Sequence, residues 1–186
     1  MLPAVRHYPI SVELYHLMAE RGTFAPDERI ELIDGEIIEM SPIGSRHVSC
    51  VNFLSAFLNR LYLDKFIISI QNPIVAADDS EPQPDLALLY PRDDFYRAAT
   101  ATGKDVALVI EVADSTSGFD RSRKFPVYAE AGIPEAWLVD LEAGLVEVHF
   151  FPKERAYGVV KVYVRGDMAT SETMPDLKIP VNDILG

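Results

Sequence analysis

The sequence has 186 residues, 48% of them hydrophobic and 25% charged, and 17 Lys and Arg against 29 Asp and Glu give a net charge of −12. That length holds one α/β domain and is short for two, and no apolar run approaches the roughly 18 residues that span a bilayer. The single cysteine, Cys50, excludes an internal disulfide framework and a multi-cysteine zinc site. Broad neutralisation of nucleic-acid phosphates needs gathered Lys and Arg, so the acidic balance opposes it unless the few cations collect at one place. A divalent metal can also neutralise carboxylates where a phosphate must approach. The start, MLPAVRHYPI, has no apolar core and no small-residue cleavage site. The expectation is therefore a cytoplasmic protein without a signal peptide.

In chain order, Ser11 to Arg21 (SVELYHLMAER) forms an amphipathic helix, with Ser11 as N-cap and Gly22 as its stop. Ile30 to Ile33 and Glu36 to Met40 flank Asp34-Gly35, the strongest short hairpin signal, because a type I′ turn needs positive φ at both positions. After Pro42 and Gly44, a helix from about Ser45 to Leu61 turns Val51, Leu54, Leu58 and Leu61 inward. Strands follow at Phe66 to Gln71 and Asp85 to Tyr90, and Asp93 to Ala99 is a short helix or irregular.

Val106 to Ala113 (VALVIEVA) is the most apolar strand and belongs at the centre of the sheet. Asp114 to Asp120 is loop, and a helix runs from about Arg123 to Ala131, ended by Gly132 and Pro134. Ala136 to Leu141 is a buried strand, Val146 to Phe151 and Tyr157 to Val164 form a terminal hairpin, and Met174 to Leu185 covers the core. The pattern predicts a single domain over residues 1–186, without repeats or linker.

Glu111 interrupts the central strand, sharing a face with Ala107, Val109 and Ala113 by period-two alternation. A buried carboxylate is expensive unless paired, hydrogen-bonded or metal-bound. Asp85, after Pro84, opens a neighbouring apolar strand. Two such carboxylates repel and raise one pKa, and a divalent cation between them relieves both penalties. Mg²⁺ suits the pair, since it takes one or two carboxylates and leaves its other positions to water and phosphate. The alternative for Asp85 is a turn cap, and for Glu111 an arginine partner.

Lys124 lies near the start of the next helix, because Pro126 is tolerated only in a first turn. There it can position water or offset charge on phosphate, or be a solvated surface lysine. Arg121 and Arg123 make this the densest basic cluster. Glu36 follows the hairpin turn and reads as an exposed glutamate. His47 lies one turn before Val51, where a core histidine is commoner than a ligand. Gln71 ends its strand and can bind water, Tyr128 lies one turn beyond Lys124, and Trp137 is core.

The strings LIDGEIIEMSPIGSRH, SEPQPDLALL and LVIEVADSTSGFDRSRKFPVYAEAGIPEAWLVD together resemble the Uma-two family, over about Glu31 to Ile184. That resemblance implies the PD-(D/E)XK nuclease superfamily: an α/β (α+β) fold with a restriction-endonuclease-like central mixed sheet flanked by helices, here with N-terminal and C-terminal hairpins. It implies that Asp85 and Glu111 bind Mg²⁺, with Mn²⁺ as substitute, and that Glu36 is a further metal or water ligand. Ala113 stands where the motif's lysine is expected, and Lys124 matches the alternative lysine from the following helix. His47, Gln71 and Tyr128 are expected to support the metal-binding groups. The implied activity is metal-dependent endonucleolytic hydrolysis of DNA, and restriction-type folds commonly act as homodimers. Two readings compete with it. One is a catalytically silent nuclease-fold protein that binds nucleic acid or a protein; the other is acid–base chemistry on a glycoside by two carboxylates.

Overall fold

All eight residues of Val106–Ala113 are buried, and this strand, β5, sits inside a six-stranded sheet. The computed structural model describes residues 8–186; residues 1–7, on which the expectation of no signal peptide bears, lie outside the described residues. Three short elements precede the sheet. They are helix α1 (Val12–Glu20), capped by the Ser11 side chain, and the hairpin of β1 (Ile30–Ile33) and β2 (Glu36–Glu39). Asp34 and Gly35 have φ of 51° and 73°, as the Asp-Gly pair required. Helix α2 (Ser45–Tyr62) buries Cys50, Val51, Leu54, Leu58 and Tyr62. Leu61 packs partly buried against the same core, and Tyr62, four residues after Leu58 on the same face, is buried beside it.

The sheet consists of β3 (Ile67–Ile70), β4 (Leu86–Leu89), β5, β6 (Glu135–Asp140), β7 (Leu145–Lys153) and β8 (Ala156–Val164), adjacent in that order. β5 and β6 are parallel and every other pair is antiparallel, so the sheet is mixed. Its two faces pack separate apolar clusters. Leu108, Ile110 and Val112 of β5 pack with α2 and the C-terminal segment, whereas Val109 and Ala113 pack with Phe125, Tyr128 and Ile133. Ala107 falls in the first cluster rather than with Glu111's face. The cause is a register shift between Leu88 and Leu89, which pair with Leu108 and Val106 and break strict alternation.

Two segments depart from the sequence reading. The stretch after β5 is helical from Ser117 rather than loop to Asp120. It runs as α3 (Ser117–Phe119), a π turn (Asp120–Lys124) and α4 (Phe125–Glu130). Pro126 is therefore inside the helix, where an α-turn would drive its ring into the Ser122 carbonyl. The wider turn, in which the Phe125 N–H reaches back to the Asp120 carbonyl, lets the helix pass it. At the C-terminus, β9 (Met168–Thr170) pairs with β10 (Lys178–Pro180), followed by α5 (Val181–Leu185). Asp93 to Ala99 is irregular. Among the described residues, no helix is long and apolar enough to cross a membrane.

Candidate functional site

Strand pairing brings the two anomalous carboxylates together. Leu86 of β4 faces Ile110 of β5. Asp85 immediately precedes β4, and its Oδ2 accepts the N–H of Val112, the residue after Glu111, at 2.9 Å. Both carboxylates line a cavity of about 400 Å³, together with Glu31, His47, Asp120 and Lys124. Its rim includes Arg29, the chain from Met40 to Gly44, and Phe119.

Asp85 is held on both oxygens. His47 Nε2 lies 3.0 Å from Oδ1, Gln71 Nε2 donates to Oδ1 at 3.2 Å, and the Val112 backbone N–H donates to Oδ2 at 2.9 Å. Gln71 adopts φ of 51° just past β3. Burial alone would raise the Asp85 carboxyl. The His47 hydrogen bond and charge, the Val112 N–H and the Lys124 charge outweigh it and leave the pKa below the ordinary value. The other ring nitrogen, His47 Nδ1, is buried without a hydrogen-bond partner.

Glu111 is only 3% exposed. Its Oε1 accepts from Tyr128 Oη at 2.5 Å and lies 2.8 Å from Lys124 Nζ, while Oε2 takes no hydrogen bond from the described residues. Burial pushes its pKa well up, Lys124 opposes this, and Asp120, Asp85 and Glu31 add to the rise. The Tyr128 hydroxyl is likewise raised, by burial and by Glu111.

Lys124 is not a surface lysine. Its ammonium lies 2.8 Å from Glu111 Oε1 and 3.2 Å from Glu31 Oε2, and donates to the Gln83 carbonyl at 3.3 Å. Burial would lower its pKa, but Glu111, Glu31 and Asp120 override that and keep it cationic. It reaches this position from the last residue of the π turn, which is also the N-cap of α4. Asp120 is also buried, bonded to the Thr116 hydroxyl, and burial pushes it up to about 6.

Sequence reasoning missed Glu31 and Asp120. Glu31 faces Ile38 across the hairpin and accepts the Gln83 N–H. It shares its strand face with Ile33, so it carried the same signal as Glu111, a carboxylate in an apolar alternation. Asp120 gave no such signal, because its segment read as loop. Glu36 is not brought to the cavity lining. It shares Glu31's face but sits two positions nearer the turn, which displaces it by about 7 Å along the strand, and it pairs with Arg123 at 2.8 Å. The basic cluster is neutralised as well: Arg121 bonds Asp140 and Glu147, and Arg123 bonds Glu36. Trp137 is fully buried and donates to Glu135, as a core residue.

Among the described residues, no group of three or more His, Cys, Asp or Glu side chains is arranged to hold a metal ion. The donors on offer are the pair Asp85 Oδ2 and Glu111 Oε2. Two carboxylates match the requirement of Mg²⁺ or Mn²⁺. The raised Glu111 carboxyl also indicates that Lys124 alone under-compensates the ionised cluster.

The mixed sheet flanked by helices defines an α/β protein, with this carboxylate cluster where β4 meets β5. The architecture is similar to the crystal structure of a "putative nuclease belonging to DUF820" from Anabaena variabilis. The two share 14% identity at a TM-score of 0.72, over 95% of this chain and 98% of that one. Residues 12–182 match the Uma2 family, described as "Putative restriction endonuclease", and the chain belongs to that family. No curated protein matches the sequence.

Proposed function

We propose that this protein hydrolyses phosphodiester bonds in DNA, with Asp85 and Glu111 holding Mg²⁺ or Mn²⁺. The observation that supports this is that Asp85 and Glu111 line one cavity, with Glu111 Oε2 taking no hydrogen bond from the described residues and Asp85 Oδ2 taking only the Val112 N–H. When bound, the metal would lower the pKa of a water and polarise the phosphoryl oxygen. The chain's own residues do the rest. His47 and Gln71 fix the Asp85 carboxylate, Tyr128 fixes Glu111, and Lys124 places a positive charge beside the developing phosphate charge. Because Lys124 is buried between two carboxylates and donates to the Gln83 carbonyl, its contribution is electrostatic. Glu31 keeps that ammonium in place.

The test is incubation with supercoiled plasmid and with single-stranded DNA, in Mg²⁺, Mn²⁺ or chelator. Cleavage is expected with metal and not with chelator, falling on the order of a hundredfold or more in Glu111→Gln. Undiminished cleavage by Glu111→Gln, or cleavage in chelator, contradicts the assignment. A catalytically silent nuclease-fold binder is the second reading, favoured by the engagement of Lys124 with Glu31, Glu111 and the Gln83 carbonyl. It predominates if no cleavage occurs and no Mn²⁺ binding depends on Asp85 and Glu111.

A further inference from the structure

The cavity lining is chemically mixed. Beside the carboxylates and Lys124 it includes the apolar side chains of Ile38, Met40, Pro42, Ile43 and Phe119. Phe119 is half-buried on α3, and Ile43 is 38% exposed on the loop before α2. The lining as a whole holds six acids (Glu31, Glu39, Asp85, Glu111, Asp114 and Asp120) against two cations, Arg29 and Lys124. The neighbouring arginines cannot shift that balance. Arg46 bonds Asp114 and the Leu141 carbonyl, Arg121 bonds Asp140 and Glu147, and Arg123 bonds Glu36.

A protein that grips a duplex does so through many phosphate contacts made by Lys and Arg. These surroundings offer few of them, so affinity must come mainly from contact with a base. A cavity of about 400 Å³ is in the range of small-ligand pockets, about 300–1,000 Å³. That is room for one nucleotide. An unpaired base presents a π-face that an aromatic side chain can stack on, whereas a base inside a duplex does not.

We infer that the site takes single-stranded nucleic acid, one unpaired nucleotide at a time, with its base among the apolar lining residues, against Phe119. Its phosphate then points toward Asp85, Glu111 and Lys124. This rests on the phosphodiester reading for the orientation of the phosphate. The base pocket itself is read by binding and not by cleavage.

The test is fluorescence anisotropy with labelled 12-mers of DNA and of RNA, single-stranded and duplex, in Ca²⁺ and again in chelator. A parallel single-stranded set carries abasic positions. Single strands are expected to bind at least tenfold more tightly than duplex. Phe119→Ala is expected to weaken single-strand binding by about five- to a hundredfold, the range for one stacked base. Phe119→Trp is expected to retain binding. Phe119→Leu, which keeps the apolar bulk without the π-face, is expected to fold normally by circular dichroism and to bind like Phe119→Ala. Removal of bases is expected to cost affinity in the wild type and little in Phe119→Ala. Duplex bound as tightly as single strand overturns the inference, as does wild-type affinity in a folded Phe119→Leu. So does failure to bind any oligonucleotide in either condition. Failure here with metal-dependent plasmid cleavage intact leaves the phosphodiester reading standing. Base-dependent binding without cleavage removes that reading and leaves the base pocket. The DNA and RNA arms decide which sugar the site accepts.

Discussion

Lys124 and Asp120 carry the electrostatics of the site, with opposite consequences for stability. Lys124 neutralises Glu31 and Glu111 at 3.2 and 2.8 Å in a buried setting. Lys124→Met leaves those carboxylates uncompensated. Breaking a buried pair in this way costs about 3–5 kcal/mol, measurable as a fall in urea midpoint at pH 8. An unchanged midpoint would mean that the carboxylates are compensated elsewhere. Asp120 has its folded pKa raised from 3.8 to about 6. The native state therefore holds that proton more tightly than the unfolded chain, and stability from this group falls as pH rises from about 4 to about 6, then levels. The interval from 3.8 to about 6 corresponds to about 3 kcal/mol at most. Asp120→Asn keeps an acceptor for Thr116 and removes the charge. Wild type is thus expected to lose stability relative to Asp120→Asn between pH 4.5 and pH 7.5, by about 1–3 kcal/mol. The same difference at both pH values contradicts this.

The elements that position these residues were legible in the sequence to different degrees. Its apolar run placed β5 at the centre, and period-two alternation grouped Val109 and Ala113 correctly but failed at Ala107, beyond the register shift. The Asp-Gly turn fixed the hairpin, and with it the register that carries Glu31. The helix after β5 was legible only in part, since Pro126 argues for a helix start unless a π turn is allowed, and nothing local signals one. β9 and β10, three residues each, are too short to show a period. Gly35 tests the hairpin directly. Its φ is 73°, and an added Cβ would lie 2.5 Å from Cβ of Pro9. Gly35→Ala is expected to cost about 2–4 kcal/mol, from the left-handed backbone and the forced displacement, read as a lowered Tm. Glu135 tests the C-terminal segment. It accepts from Trp137 Nε1, both the N–H and hydroxyl of Thr173, the Ser171 hydroxyl and the Glu172 N–H. Glu135→Ala strands these donors, at about 1–3 kcal/mol for each one left buried. Destabilisation above about 3 kcal/mol is expected, and a loss below 1 kcal/mol would show that water takes over the role.

At the scale of the molecule, the net charge of −12 is the feature hardest to reconcile with a nuclease, and the site localises the problem. Acids outnumber cations around the cavity, and the basic cluster legible in the sequence is consumed by ion pairs with Asp140, Glu147 and Glu36. On the proposed reading, a divalent metal supplies the positive charge that lets a phosphate approach. The most direct measurement is anomalous diffraction from crystals soaked in Mn²⁺. The expected result is a peak within about 2.3 Å of both Asp85 Oδ2 and Glu111 Oε2, lost in Glu111→Gln. A fully soaked crystal with no peak between these two carboxylates, or with a peak that persists in Glu111→Gln, would contradict the account.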